Sequence, residues 1–164
     1  MSDVKPSSPF NSPLETGIRS VAVLAAAFPR SFDLQRLVAF DHLVVHTGDI
    51  GGPASLHPRL PMRSTELLVR RGLVERGILL FISRGLIERA VTQDGITYRA
   101  GEFSETFLIS LTTSYTKALR ERAGWVVQEF GMMPDEEFQS KLNYLFDKWT
   151  NQFQTTQPTL EPTQ

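Results

Sequence analysis

Apolar positions along the chain recur at helical spacing over most of its length. Ile18, Val21, Leu24, Ala25 and Phe28 share one face, which predicts a first helix from about Leu14 to just before Pro29. Ala22, Ala26 and Ala27 fill its second half at little cost in propensity. Ser31 or Asp33 is placed to cap a second helix carrying Leu34, Leu37, Val38, Val44 and Val45. Asp41 interrupts that stripe, and Gly48 is expected to end the helix.

Asp49 to Pro61 is rich in glycine and proline and reads as a loop. Its prolines and the polar residues His46, Asp49 and His57 are expected to hold it ordered, through side-chain bonds to backbone groups. Ser64 then caps a third helical stretch. Gly72 and Gly77 lie inside it, at about 1 kcal/mol each, so a break near Gly72 is expected. The piece Leu73 to Ser83 is apolar nearly all round and reads as buried.

Leu86 to Thr92 and Ile96 to Ala100 read as two strands joined through Gln93, Asp94 and Gly95, a strong hairpin signal. Phe103, Phe107, Leu111, Tyr115 and Leu119 then repeat every four residues, predicting the longest helix, about Glu102 to Phe130, ended by Gly131. Pro134 opens a last helix, with Asp135, Glu136 and Glu137 at its positive end and Phe138, Leu142, Leu145, Phe146 and Trp149 as its apolar stripe.

The expected fold is mainly α with a small β-hairpin. A winged helix-turn-helix-like core comes first, then a long helix and a C-terminal amphipathic helix. The expected units are a disordered tail at 1–13, a winged-helix-like helical domain at 14–130, the amphipathic helix at 131–149 and a disordered tail at 150–164. Both ends are rich in polar residues and proline, with little to bury.

Composition narrows the function. Among 164 residues there is no cysteine, which excludes disulfides and thiolate metal sites and fits a reducing, cytoplasmic setting. A net charge of −1 gives no strong overall field toward nucleic acid or an anionic membrane. The apolar run Val21 to Phe28 is too short to span a bilayer, so no membrane partner is expected.

His42 and His46 are four apart on one helix, with Asp41, Asp49 and His57 near in sequence, a spacing that can bind zinc. No general base accompanies them as in a His-Glu-x-x-His motif, so neither metal nor any other cofactor is expected. No phosphate loop and no placed nucleophile occur, and the chain reads as a non-enzyme.

Between Pro58 and Ala100 stand eight arginines, four acids and no lysine. Arginine without lysine suits bidentate contacts to carboxylate or phosphate. Arg63, Arg70, Arg71 and Arg84 are candidate partner contacts, as are Phe138, Leu142 and Trp149 on the last helix. Internal pairing competes with this; Glu66, four before Arg70, is one available partner.

Several runs resemble one family. They are Leu43-Val44-Val45-His46-Thr47-Gly48-Asp49, Gly52-Pro53, Ser55-Leu56-His57-Pro58, Arg63, Glu66-Leu67-Leu68-Val69-Arg70-Arg71, Leu73-Val74 and Ser83-Arg84-Gly85-Leu86. The likeness continues through Gly95-Ile96-Thr97-Tyr98 and Glu102 to Arg122-Ala123-Gly124-Trp125, covering roughly residues 15 to 127. Together they resemble the middle component of bacterial ABC-three-component conflict systems, the Lamassu-type antiphage defences among them. Thr47, Met62 and Thr65 are candidate departures.

The resemblance implies an accessory adaptor that couples an SMC-like ATPase to an effector protein, often a nuclease, with DNA contacted through the complex. A free-standing winged-helix DNA-binding regulator is the alternative. A regulator needs a basic recognition helix, and Leu73 to Ser83 has Arg76 as its single base. A small metal hydrolase built on His42, His46 and Asp49 is the weakest of the three.

Overall fold

The computed structural model describes residues 12–58 and 64–156, with side chains throughout except at 64–68 and 149–156. Helix α1 spans Pro13–Ala27, strand β1 Ser31–Phe32 and helix α2 Leu34–Val45. A 3-10 turn, Thr47–Ile50, and a loop lead to helix α3, Ser64–Ser83. Strands β2 (Ile87–Thr92) and β3 (Gly95–Ala100) follow, then helices α4 (Ser104–Ser110), α5 (Ser114–Phe130) and α6 (Asp135–Thr156). The protein is mostly helical with one small antiparallel sheet, an order compatible with a winged helix.

Local signals explain most boundaries. Ser12 caps α1 by accepting from the Glu15 N–H, with Pro13 opening the first turn. Of the two candidate caps for α2, Asp33 does it, accepting from the Arg36 N–H at 2.8 Å. The helix ends at Val45 rather than at Gly48, and the chain tightens into the 3-10 turn. The hairpin forms as expected, with Thr92 opposite Gly95 across Gln93 and Asp94. Sequence pattern missed β1, which pairs with β3 (Ser31 opposite Arg99, Phe32 opposite Tyr98) and makes a three-stranded sheet.

Three expectations are corrected. The third helix is one piece, unbroken at Gly72, and Gly77 inside it is a contact: α1 crosses α3 there. A Cβ on Gly77 would stand 2.6 Å from Gly17 N and 2.6 Å from Pro13 O. The Thr16 hydroxyl bonds across the same crossing to Leu73 O (3.0 Å). Its second half is buried on one face, with Val74, Ile78 and Phe81 inside and Leu79 exposed.

Glu102 to Phe130 is not one helix. Leu111 turns extended, and Thr113 caps a new start by accepting from the Thr116 N–H (3.2 Å). A hydroxyl that offers the backbone an alternative bond wins over the four-residue repeat. The last helix is the longest instead, and it is described as far as Thr156, past the boundary expected at 149.

Helix α1 is the innermost element, packed by α2, α3, α4, α5 and β3. Its burial reaches round the helix, taking in Thr16, Arg19 and Ser20 beside Val21 and Leu24, while Phe28 is exposed. The stripe of α6 closes the core. Phe138 and Leu142 are 4% and 5% exposed, with Phe138 edge-on to Phe40 at 5.4 Å. These two side chains, candidate partner contacts by sequence, are core residues of this chain.

Arg36 pins the start of α6. It donates to Phe130 O (3.1 Å) and Met133 O (2.9 Å), pairs with Asp135 (2.6 Å) and lies 4.1 Å from the Phe138 ring centre. A cation on the last carbonyl of α5 suits the negative end of that helix. No helix among the described residues is long and apolar enough to cross a membrane.

Candidate functional site

Several polar residues that sequence singled out meet others that it did not in one cluster, buried around Asp41 and open at Tyr115, which is 39% exposed. Helix α1 brings Arg19, α2 brings Asp41 and His42 with His46 as its C-cap, the loop brings His57, α3 brings Arg70 and α5 brings Tyr115. Asp41 does not interrupt a stripe so much as anchor the cluster. Arg19 Nε donates to Asp41 Oδ1 at 2.7 Å and Arg19 Nη2 to Oδ2 at 3.4 Å, a fork on one carboxylate. Arg70 Nη1 reaches Asp41 Oδ2 from the other side at 2.5 Å. Arg19 is 2% exposed and the Arg70 side chain 18%. Arg70 is therefore an internal partner, and Asp41 is the acid that holds it; the side chain of Glu66 lies outside the described set.

The histidines sit against these cations. The His42 and His46 rings are 4.4 Å apart, and His57 is 6.3 Å from His46. The His57 Nε2 and the Tyr115 hydroxyl are bonded at 2.8 Å. Burial pushes His46 down to about 4, with Arg70 pressing the same way against Asp49. Burial likewise takes His57 to about 4, helped by Arg19. His42 lies well below its ordinary value, through burial and then His46 and Arg70. Burial raises the Tyr115 phenol against the pull of Arg19. At neutral pH the site thus holds neutral imidazoles and a neutral phenol. Among the described residues no three His, Cys, Asp or Glu side chains are placed to hold a metal ion.

The cluster sets a pH dependence. An unfolded histidine titrates near 6.5, above its folded value here, so below that pH the unfolded chain binds the extra protons. Stability contributed by the neutral rings is complete above about pH 6.5 and falls as pH drops toward 4, with a slope approaching about 1.4 kcal/mol per pH unit per histidine. Urea midpoints measured from pH 7 to pH 4 check it. The slope should flatten in His46→Gln, and an unchanged slope there would remove His46 from the account.

The loop after α2 is also held by residues the sequence did not flag as anchors. Thr47 donates to Pro53 O (2.7 Å) and the Gly48 N–H to Ser55 Oγ (3.0 Å). Arg122 donates twice to Ala54 O (3.1 and 2.9 Å), and Gly52 lies flat against Trp125. His57 ties the loop to α5 through Tyr115, and His46 Nδ1 stands 4.0 Å from Asp49. A Gly-Pro loop between two helices announces a turn; which side chain meets it from residue 122 is set by tertiary packing alone.

The remaining candidates divide by exposure. Arg71 on α3 and Arg84 just past its end are exposed and make no ion pair among the described residues. Arg99 on the sheet is paired with Glu88 across the hairpin at 2.6 Å. Arg63, and the side chain of Trp149, lie outside the described set.

A family model described as ABC-three component (ABC-3C) system Middle Component 2 matches residues 9–152. No curated protein and no solved structure matches the chain.

Proposed function

Because the chain belongs to the Middle Component 2 family of ABC-three-component systems, we propose that it is the non-catalytic subunit coupling an SMC-like ATPase to an effector. A nuclease is the expected effector class, and a Lamassu-type antiphage complex the expected setting. Family membership makes it an accessory component that works with the other components of such a system. The observation that carries the surface assignment is the split among the arginines. Arg70 is spent on Asp41, whereas Arg71 and Arg84 stand exposed on the same helix and at its end.

Acidic side chains of the ATPase are the proposed partners of Arg71 and Arg84. An exposed pair contributes under about 1 kcal/mol, but truncating one member of a desolvated interfacial pair costs about 2–5 kcal/mol. The variant Arg71→Glu with Arg84→Glu should keep its thermal midpoint and lose most co-purification with the ATPase component. Intact assembly with weakened, salt-sensitive DNA binding would assign the arginines to phosphate instead.

The regulator alternative draws less support. The only base of Leu73 to Ser83, Arg76, donates to Gly72 O of its own helix, and Val74, Ile78 and Phe81 face inward.

A further inference from the structure

Gly72 is out of character with the helix that holds it. It lies inside the 20 residues of α3, where glycine is less favourable than alanine. Neither usual reason for a helical glycine holds there. Its φ is not positive, and a Cβ would meet nothing of this chain closer than Arg76 Nη2, at 3.6 Å. Gly77, five residues on, is required by the α1 crossing; the fold itself makes no such demand at Gly72. A local rule broken without an internal gain points to function.

Gly72 sits in the middle of the outer face of α3. Val69, Gly72, Arg76, Leu79 and Ser83 follow at steps of three and four and so share one side. The buried Val74, Ile78 and Phe81 take the opposite side. Val69 and Leu79 are 64% and 53% exposed. They stand about 15 Å apart along the axis, at about 1.5 Å per residue, and the missing side chain between them leaves a notch. Gly124 in α5 is equally open, but its exposed neighbours one turn away, Glu121 and Gln128, are polar.

The charges choose the occupant. With Arg70 held by Asp41, the stretch from Val69 to Arg84 sets Arg71, Arg76 and Arg84 against one acid, Glu75. Arg71 and Arg84 are exposed, with no ion pair among the described residues. A second copy would bring arginine against arginine, and like charges face to face oppose association. DNA would meet two aliphatic side chains that offer no hydrogen bond, and a carboxylate that repels phosphate. A helix with an apolar stripe and acidic flanks matches both features. Its stripe covers Val69 and Leu79, its backbone comes close at Gly72, and its acids meet the arginines. About three turns of such a helix span the face. We infer that the outer face of α3 seats an acidic amphipathic helix of the ATPase component, lying over Gly72. This rests on the reading of Arg71 and Arg84 as contacts to acidic side chains and adds the shape of the segment that carries them.

The test is a calorimetric titration of the full chain with the purified ATPase component of its system. Gly72→Ala and Gly72→Gln should weaken binding progressively, the second at least about tenfold, while the thermal midpoint holds or rises. Val69→Ser with Leu79→Ser should weaken it by a similar factor in a folded chain. Gly124→Ala, which improves α5 alone, should leave binding as it was. Photoreactive benzoyl-phenylalanine in place of Leu79 should crosslink to an acid-bearing helical segment of the ATPase component. Loss of binding in Arg71→Glu with Arg84→Glu, but not in the Gly72 variants, would overturn this inference and leave the arginine reading standing. Loss in the Gly72 variants without loss on charge reversal would sink the arginine reading, and with it the acidic character of the helix. Crosslinks to a second copy or to DNA, or no binding by the parent chain, would overturn the inference outright.

Discussion

Asp41→Ala is expected to destabilise the protein by about 3–5 kcal/mol, the usual cost of removing one partner from a buried ion pair. Asp41 accepts from both Arg19 and Arg70, and Arg19 is 2% exposed on the innermost helix. Arg70 can swing toward water once released; Arg19 cannot. Burial works against the charged Arg19, while Asp41 and Tyr115 hold its proton more firmly than usual. Without Asp41 the cost of burying that charge is no longer offset by a carboxylate. Urea unfolding of the single variant measures the loss. The double variant Arg19→Met with Asp41→Leu should recover much of it, because replacing both members by apolar groups removes the uncompensated charge. A single variant within 1 kcal/mol of the parent, on the order of a surface pair, would show that the cluster is not holding α1 to α2.

The second large effect is a matched pair in one helix. Gly77→Ala should destabilise and Gly72→Ala should stabilise, although both replace a glycine inside α3. Alanine gains about 1 kcal/mol in helix propensity at either site. At Gly77 the new methyl meets backbone, Gly17 N and Pro13 O both at 2.6 Å, which cannot turn aside. The helices must part there, and overpacking costs about 1–3 kcal/mol or more, exceeding the propensity gain. At Gly72 the nearest atom is the flexible end of Arg76, at 3.6 Å. The propensity gain cancels between the two variants, so the expected difference in unfolding free energy is the overpacking cost itself, about 1–3 kcal/mol or more. Equal effects at the two positions would mean that α1 and α3 do not meet as closely as described.

Local chemistry made much of this fold legible. The Asp33 cap, the Gln93-Asp94 turn, the stop at Gly131 and the acidic start of α6 are each decided within a few residues. What escaped is decided between distant segments. The four-residue repeat from Phe103 to Leu119 looked like one face, yet Phe103 is exposed and Leu119 buried, because the chain breaks at Thr113. The arginine excess between Pro58 and Ala100 was visible, but the fate of Arg70 depended on an aspartate 29 positions earlier. The histidines marked a polar centre by their spacing, whereas its keystones, Arg19 and Tyr115, carried no signal in one sequence. Arg30 and Arg36 are both arginines near β1; only tertiary structure makes Arg36 the anchor of the α5–α6 turn.

Helix α1 also sets a problem of timing. It packs against α2, α3, α4, α5 and β3, and each of these is synthesised after it. Roughly a hundred residues separate the end of α1 from the end of α5, and at about 5–20 residues per second their synthesis takes about 5–20 s. A helix apolar nearly all round cannot bury itself in that interval. Val21, Ala22, Val23 and Leu24, which end almost without exposure, therefore begin life as the most exposed apolar segment of the nascent chain. The innermost element of the folded protein thus waits, apolar and uncovered, until the elements that bury it have been made.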